Sequence, residues 1–357
     1  TLKSTVDYFT NRGSSVYAAA LDISKAFDTV KHSELFRTLS VAGVPKWIIA
    51  VIMNWYSKLF VAVRWCANIS HWFKVGSGVR QGSMLYPSFF NSFINRMIVA
   101  IKLQRTGCCI NNCFIGCILY ADDIILLSAS VVGLQNMLNT CYATISNLQL
   151  KFNCAKSFCI CFGLRHKQAL APMTLGNDNI AWSTSIKYLG IIVKSGYKFL
   201  VDFEAVKRKY YMACNTILCN SVFQTELLRL QLLETYCLPI LTYCVAALDI
   251  TRTHLKELNA CWNMIFRKIF GFNKWESVRC FIAGLGRLDF EHIYYWQRLK
   301  FLKNAFASNN SILLSIVHMQ QYSEVVNVLC YKCCLSLDMP FGRLKDCIFD
   351  MFKRSCS

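Results

Sequence analysis

A chain of 357 residues that is 55% hydrophobic can bury a sizeable core, in one large domain or two to three smaller ones, and is too apolar to be disordered throughout. Lys and Arg number 39 against 20 Asp and Glu, a formal charge of +19, which excludes an acidic solvating protein and points to a polyanionic partner. There are 20 Cys and no charged segment followed by an apolar run at the start, so the expectation is reduced thiols in the nucleus or cytoplasm rather than a disulfide framework.

In chain order, Leu2 to Thr10 reads as the end of a helix stopped near Gly13, and Val16 to Ile23 as a small, apolar strand leading to Asp22. His32 to Ala42 is an amphipathic helix closed by Gly43, and Pro45 opens a second helix to about Leu59. Val61 to Trp65 and His71 to Val75 alternate and read as a hairpin whose loop holds Asn68. Pro87 starts a helix to about Leu103. Phe114 to Leu119 and Ile124 to Ser128 are apolar runs flanking Ala121-Asp122-Asp123. Leu134 to Leu148 is a helix, and Lys151 to Phe162 and Ile186 to Val193 read as strands.

From about Asp202 the pattern turns helical: Leu227, Leu230, Leu233 and Cys237 fall at helical spacing, as do Leu255, Leu258, Trp262, Ile265 and Ile269. The element order implies an α+β class, an antiparallel sheet with helices on one face, followed by a mainly helical part. The longest apolar stretches weighed as membrane spans are interrupted, Trp47 to Val63 by Asn54 and Lys58, Cys113 to Leu127 by Asp122 and Asp123, so no transmembrane helix is expected. Cys330, Cys333 and Cys334 have C-x-x-C spacing without a nearby His, and zinc is not expected there.

Asp122 and Asp123 interrupt two apolar runs, and ionised carboxylates beside apolar strands are costly without a compensating cation. A third acid, Asp22, ends the strand of small residues. Asp22 and Asp122 on neighbouring strands would hold two Mg2+ ions, with Mn2+ as a substitute, since Mg2+ takes a few carboxylates together with substrate phosphates and water. Adjacent strand residues face opposite ways, so one of Asp122 and Asp123 is the main ligand and the other supports it. A solvated Asp-Asp turn and an unrelated strand-end Asp are the alternative. Gly76, Gly78 and Gly82 line a strand-to-helix loop whose Arg80 and Gln81 offer donors to phosphate or sugar; a plain tight turn accounts for the glycines as well.

Taken together and in this order, the segments resemble the reverse transcriptase family. Leu21-Asp-Ile-Ser-Lys-Ala-Phe-Asp-Thr-Val30 is similar to its first palm motif in the form usual for non-LTR (LINE-like) retrotransposons, and residues 78–91 resemble the second. Tyr120-Ala-Asp-Asp123 is similar to the third, Asn153-Cys-Ala-Lys-Ser157 with Cys159 to Gly163 to the fourth, and Lys187-Tyr-Leu-Gly-Ile191 to the fifth, at the primer grip. The resemblance spans about residues 16–195, continues more weakly through residues 227–271 and fades beyond about 275.

The resemblance implies a right-hand polymerase palm over 1–200, a helical thumb over 201–275 and a helical C-terminal region of no assigned role over 276–357. It implies an RNA-directed DNA polymerase with RNA template, DNA primer and dNTP as partners. Asp22, Asp122 and Asp123 become the catalytic, metal-holding acids, and Lys156 the group at the leaving pyrophosphate. Phe27 becomes a steric gate against a 2′-hydroxyl. Arg80, Gln81 and Gly82 lie along template and incoming nucleotide. Tyr188, Leu189 and Gly190 position the primer end, and Lys207, Arg208 and Lys209 face the duplex. The chain opens without Met just before the first motif, so the expectation is a fragment without fingers, and a remnant that binds nucleic acid without catalysis is the alternative. Ser83 and Tyr86 depart from the residues usual in the second motif.

Overall fold

The structure is a computed structural model and describes residues 1–79, 86–320 and 339–356. Arg80, Gln81 and Gly82 therefore lie outside the described residues, as do Cys330, Cys333 and Cys334. The chain forms two compact units, one of Leu2 and residues 4–200, the other of residues 201–357 with Thr1 and Lys3.

The first unit runs α1 (Leu2–Thr10), β1 (Val16–Leu21), α2 (His32–Val41) and α3 (Lys46–Ser57). Four short strands follow: β2 (Phe60–Val61), β3 (Arg64–Trp65), β4 (Asn68–Ile69) and β5 (Phe73–Lys74). Then come α4 (Tyr86–Leu103), β6 (Cys109–Ile110), β7 (Cys113–Phe114), β8 (Cys117–Tyr120), β9 (Asp123–Ser128) and α5 (Val131–Asn147). The unit ends with β10 (Phe158–Phe162), β11 (Met173–Leu175), β12 (Asp178–Trp182), β13 (Ser185–Tyr188) and β14 (Ile191–Lys194).

Six strands form one sheet in the order β11-β12-β10-β1-β9-β8. Its centre is antiparallel: β1 sets Ala19 opposite Leu126 of β9 and opposite Cys159 of β10. Alternation then sorts the side chains. Tyr17, Ala19, Leu21, Ile124, Leu126, Cys159 and Cys161 share one face and enter a single core with Leu35 of α2, Ile94 and Met97 of α4 and Leu134 and Leu138 of α5. Each buried Leu or Ile contributes roughly 1.5–3 kcal/mol through area removed from water. The other face carries Ala18, Ile125, Leu127, Ile160 and Phe162, also buried, with Phe162 stacked on Phe199. Small side chains in β1 let both layers approach the central strand.

The structure departs from the expected elements at four places. The hairpin after α3 turns tightly at Cys66-Ala67, with Cys66 at φ 52°, so Asn68 sits in a strand opposite Trp65 rather than in a loop. Lys151 to Phe162 is not one strand: Cys154–Lys156 forms a 3-10 turn before β10. Ile186 to Val193 folds back as the hairpin β13–β14 because Leu189 and Gly190 both take positive φ. Finally, β12 pairs with β10 in parallel, so the sheet is mixed at one edge; residues 163–172 lead across to β11, which runs back antiparallel to β12 and returns the chain for the parallel pairing.

The second unit is helical: α6 (Phe203–Asn220), α7 (Glu226–Tyr236), α8 (Leu238–Thr242), α9 (Arg252–Phe270), α10 (Arg279–Gly284), α11 (Phe290–Phe306), α12 (Ser311–Gln320) and α13 (Phe341–Arg354). Side chains of Asp202, Thr225, Thr251 and Asp289 accept the first free N–H groups of α6, α7, α9 and α11, the usual satisfaction of orphan helix donors. The expected stripe of α9 is buried at Leu255, Leu258, Trp262, Ile265 and Ile269. In α7, Leu230 and Leu233 are buried but Leu227 is exposed. Glu226–Ala247 is long and apolar enough to cross a membrane by length and composition, a stretch the sequence reading did not weigh. In the fold it breaks at Cys237, before Pro239, and turns Leu230, Leu233, Cys237 and Leu241 into a core.

Candidate active site

β1 ends at Leu21, paired with Ile124, and one further step of the same register sets Asp22 opposite Asp123. Pairing continues past the strand end on the other side: Ile23 bridges Phe152, and Ser24 donates its N–H to the Lys151 carbonyl at 2.9 Å. The backbone of Asp22 is held from the same direction. Its carbonyl accepts from the Asn153 N–H at 2.8 Å, and its N–H donates to Ser157 Oγ at 3.2 Å. The fully buried Ser157 hydroxyl donates in turn to the Asn153 carbonyl at 2.8 Å. Ser157 was not singled out in the sequence; its place in the motif beside Lys156 was the only signal.

The other two acids come from the turn between β8 and β9. Tyr120 pairs with Asp123, so Ala121 and Asp122 form a two-residue turn, with Ala121 at φ 53°. A non-glycine residue there stores strain that the flanking ladder must hold. Expected to face Asp122, Asp22 instead lies across from Asp123, which shares the sheet face of Ile125 and Leu127. Desolvation, then the charges of Asp122 and Asp22, push the Asp123 carboxyl above its ordinary pKa. Like charges raise one another in this way. Among the described residues no ion pair reaches any of the three acids.

Asp22 and Asp123 open onto a cavity of about 640 Å³ that is also lined by Lys156, Lys187, Tyr188, Leu189 and Gly190. Lys156 enters from the 3-10 turn and is exposed; Lys187 lines the same wall and was not named in the sequence. Tyr188 is buried beside Asp123. Desolvation and then the Asp123 charge raise its phenol well above the ordinary value, and its hydroxyl has no hydrogen-bond partner among the described residues. Leu189 and Gly190, at φ 44° and 80°, make the turn that presents this edge. The cavity thus gathers Asp22, Asp123, Lys156, Tyr188, Leu189 and Gly190, with Asp122 on the adjoining turn.

Phe27 is half-buried, its ring 4.7 Å from that of Phe90, and is not among the residues lining the cavity. The Phe27 carbonyl accepts from the Val79 N–H at 2.7 Å. Gly78 passes so close beneath the same segment that a Cβ there would sit 2.9 Å from the Asp28 carbonyl oxygen, and its φ is 92°, so this glycine is required on both counts. In the second unit, a cavity of about 780 Å³ is lined by Lys207, Arg208, Tyr211, Arg267, Lys268 and Lys274 with Glu204 and Glu257. Lys207 is paired there with Glu204 and, at 3.0 Å, Glu257, so its charge is matched within the protein.

Residues 1–193 match the family described as reverse transcriptase (RNA-dependent DNA polymerase). The chain belongs to the reverse transcriptase family. Similar proteins include the Pol polyprotein of the type-2 retrotransposable element R2DM of Drosophila melanogaster, 31% identical over 41% of this chain and 14% of its own length. A Pol polyprotein of the type-1 element R2 of Popillia japonica is 30% identical over 91% of this chain and 45% of its own. These relatives bear out the resemblance to non-LTR reverse transcriptases, and the chain spans less than half the length of either. Telomerase of Candida albicans, solved with a fragment of telomeric RNA, aligns at 11% identity over 90% of this chain and 54% of that one, with a TM-score of 0.44. All but Thr1 and Lys3 of the residues that match the family fall within the first unit, a mixed sheet-and-helix α+β fold, and a helical unit follows it in sequence.

Proposed function

We propose that the chain is an RNA-directed DNA polymerase that extends a DNA primer on an RNA template. One observation carries this reading. The sheet register brings Asp22 to Asp123, with Asp122 on the adjoining turn, so that burial and then the neighbouring charges raise the proton affinity of Asp123, and among the described residues no ion pair reaches any of the three. Such an arrangement is unfavourable for folding alone and favourable for holding divalent ions. Among the described residues no group of three His, Cys, Asp or Glu side chains is placed to hold a metal ion by itself, so an ion here would need substrate phosphates and water to complete its shell, as Mg2+ does. Asp22 and Asp123, with Asp122 in support, would hold two Mg2+ ions, or Mn2+ in their place. When bound, these ions activate the primer hydroxyl and neutralise charge on the departing pyrophosphate.

The chain's own residues then position the reaction, in which the primer 3′-hydroxyl attacks the α-phosphorus of a dNTP and pyrophosphate leaves. Tyr188, Leu189 and Gly190 place the primer end against the acids. Lys156 lines the same cavity, where its ammonium offsets charge on the pyrophosphate. Arg80, Gln81 and Gly82 take the template and incoming base, and Phe27 screens the sugar 2′ position. Arg208 in the helical thumb contacts the duplex backbone.

The test is Mg2+-dependent extension of a DNA primer on an RNA template. Extension that falls about 10²–10³-fold in Asp123→Asn, with template-primer affinity retained, supports the reading. An unchanged rate in that variant would sink it. An inactive wild type with salt-dependent template-primer binding would favour the non-catalytic alternative. If Phe27 is the gate, Phe27→Ala incorporates NTPs that the wild type rejects.

A further inference from the structure

Between Glu34 and Asp122 the chain contains no Asp or Glu. At the centre of this stretch stands the hairpin β2–β5, whose residues 60–74 are exposed at every position but Ala62. It is not a polar hairpin. Trp65 and Trp72 are 77% and 72% exposed, and Phe60 and Phe73 are about half exposed. Cations are interleaved with them: Phe60 lies across the ladder from Lys74, and Arg64 precedes Trp65. No ion pair joins Arg64 or Lys74 to a described residue. A two-stranded ribbon has little stability of its own, and aromatic surface left in water costs roughly 25 cal/mol per Å², so this surface gains by being covered.

We propose that the hairpin binds single-stranded RNA, as a stacking platform for the unpaired template; the proposal rests on the polymerase reading above. Charge and shape select this occupant. Protein-docking surfaces are depleted of charge at their centres, whereas here unpaired cations stand among the aromatics. Exposed Trp rings with nearby Lys and Arg are the arrangement on which unpaired bases stack while the backbone is neutralised. A groove of about 700 Å³ runs from the hairpin, past Phe60 and Trp72, to Gly78 and Asp28. That end of the groove is formed by Asp28 and Gly78, which lie in the segments that resemble the first and second polymerase motifs.

The experiment is equilibrium binding of the full chain to a labelled oligouridylate of about 15 nucleotides, without dNTP or divalent metal, across a salt series. Trp65→Ala/Trp72→Ala is expected to weaken binding at least about 10-fold with the salt slope unchanged. Arg64→Gln/Lys74→Gln is expected to lower the slope by about 0.7 per cation removed. Both variants touch only exposed side chains, so melting temperature checks that the fold survives. Asp123→Asn should bind the oligomer as the wild type does, which separates failure of this surface from failure of the polymerase reading. Unchanged affinity in both double variants overturns the proposal. So does tighter binding of the matching DNA oligomer than of RNA, or a loss of self-association in sedimentation while RNA affinity stays fixed, which would mark a protein-docking face.

Discussion

Three acids of the helical unit and three of the first unit stand in opposite settings. In the helical unit acids are matched: Asp249 meets the fully buried Arg298 at 2.7 Å, Glu234 meets Arg287 at 2.7 Å, and Asp289 meets His292 at 2.5 Å while capping α11. In the first unit, Asp22, Asp122 and Asp123 stand together with no ion pair to a described residue, although Lys156 and Lys187 line the cavity onto which Asp22 and Asp123 open. Matched acids hold a fold; unmatched acids on rigid strands are a feature that folding alone does not reward. The contrast teaches where to look for chemistry in a chain whose charge is otherwise scattered.

The contrast can be broken by experiment, and the largest effect should come from the unmatched set. Asp123→Asn is expected to cost about 10²–10³-fold in extension while melting temperature holds or rises, since like-charge repulsion is removed. A variant that loses stability in parallel with activity would make Asp123 a structural acid. Asp249→Ala should do the reverse. Removing the carboxylate partner of the buried Arg298 is expected to cost about 2–4 kcal/mol in denaturant unfolding, below the full value for a buried pair because Asp249 keeps a third of its surface in water. Unchanged unfolding would show that Arg298 is satisfied by the Ala246 carbonyl, which it also reaches.

Smaller effects sharpen the same line. Ser157→Ala removes the acceptor for the Asp22 N–H, and about 1–2 kcal/mol of positioning is at stake. It should lower the extension rate several-fold with primer affinity unchanged, and Ser157→Thr should restore much of it. An equal loss of rate and of affinity would make Ser157 merely a packing residue. Smallest of all, Arg287→Gln at a partly exposed pair should shift unfolding by under about 1 kcal/mol, which thermal melts can check.

The palm acids were legible because each breaks an apolar run, a pattern that burial cost makes conspicuous in any sequence. The hairpin at Leu189 and Gly190 was not. Leucine rarely takes positive φ, so a mainly apolar run, broken only by Lys187 and a single Gly190, reads as one strand, and the pairing of Tyr188 with Ile191 is what reveals the turn. Ser157 was equally silent, since a hydroxyl's importance here comes from being buried under a strand that lies 135 residues away in sequence. Helix α9 was readable throughout because its periodicity and its burial are the same fact.

What the amino-acid sequence determined by itself is the family, the element types of the long periodic segments, and which acids are out of place, since composition and spacing carry those directly. Tertiary structure alone decided that Asp22 faces Asp123 rather than Asp122, that Ser157 holds the Asp22 backbone, and that the Trp hairpin is left in water. Each of these depends on strand register or on which surface a neighbour covers, and both are set by contacts between residues far apart in the chain.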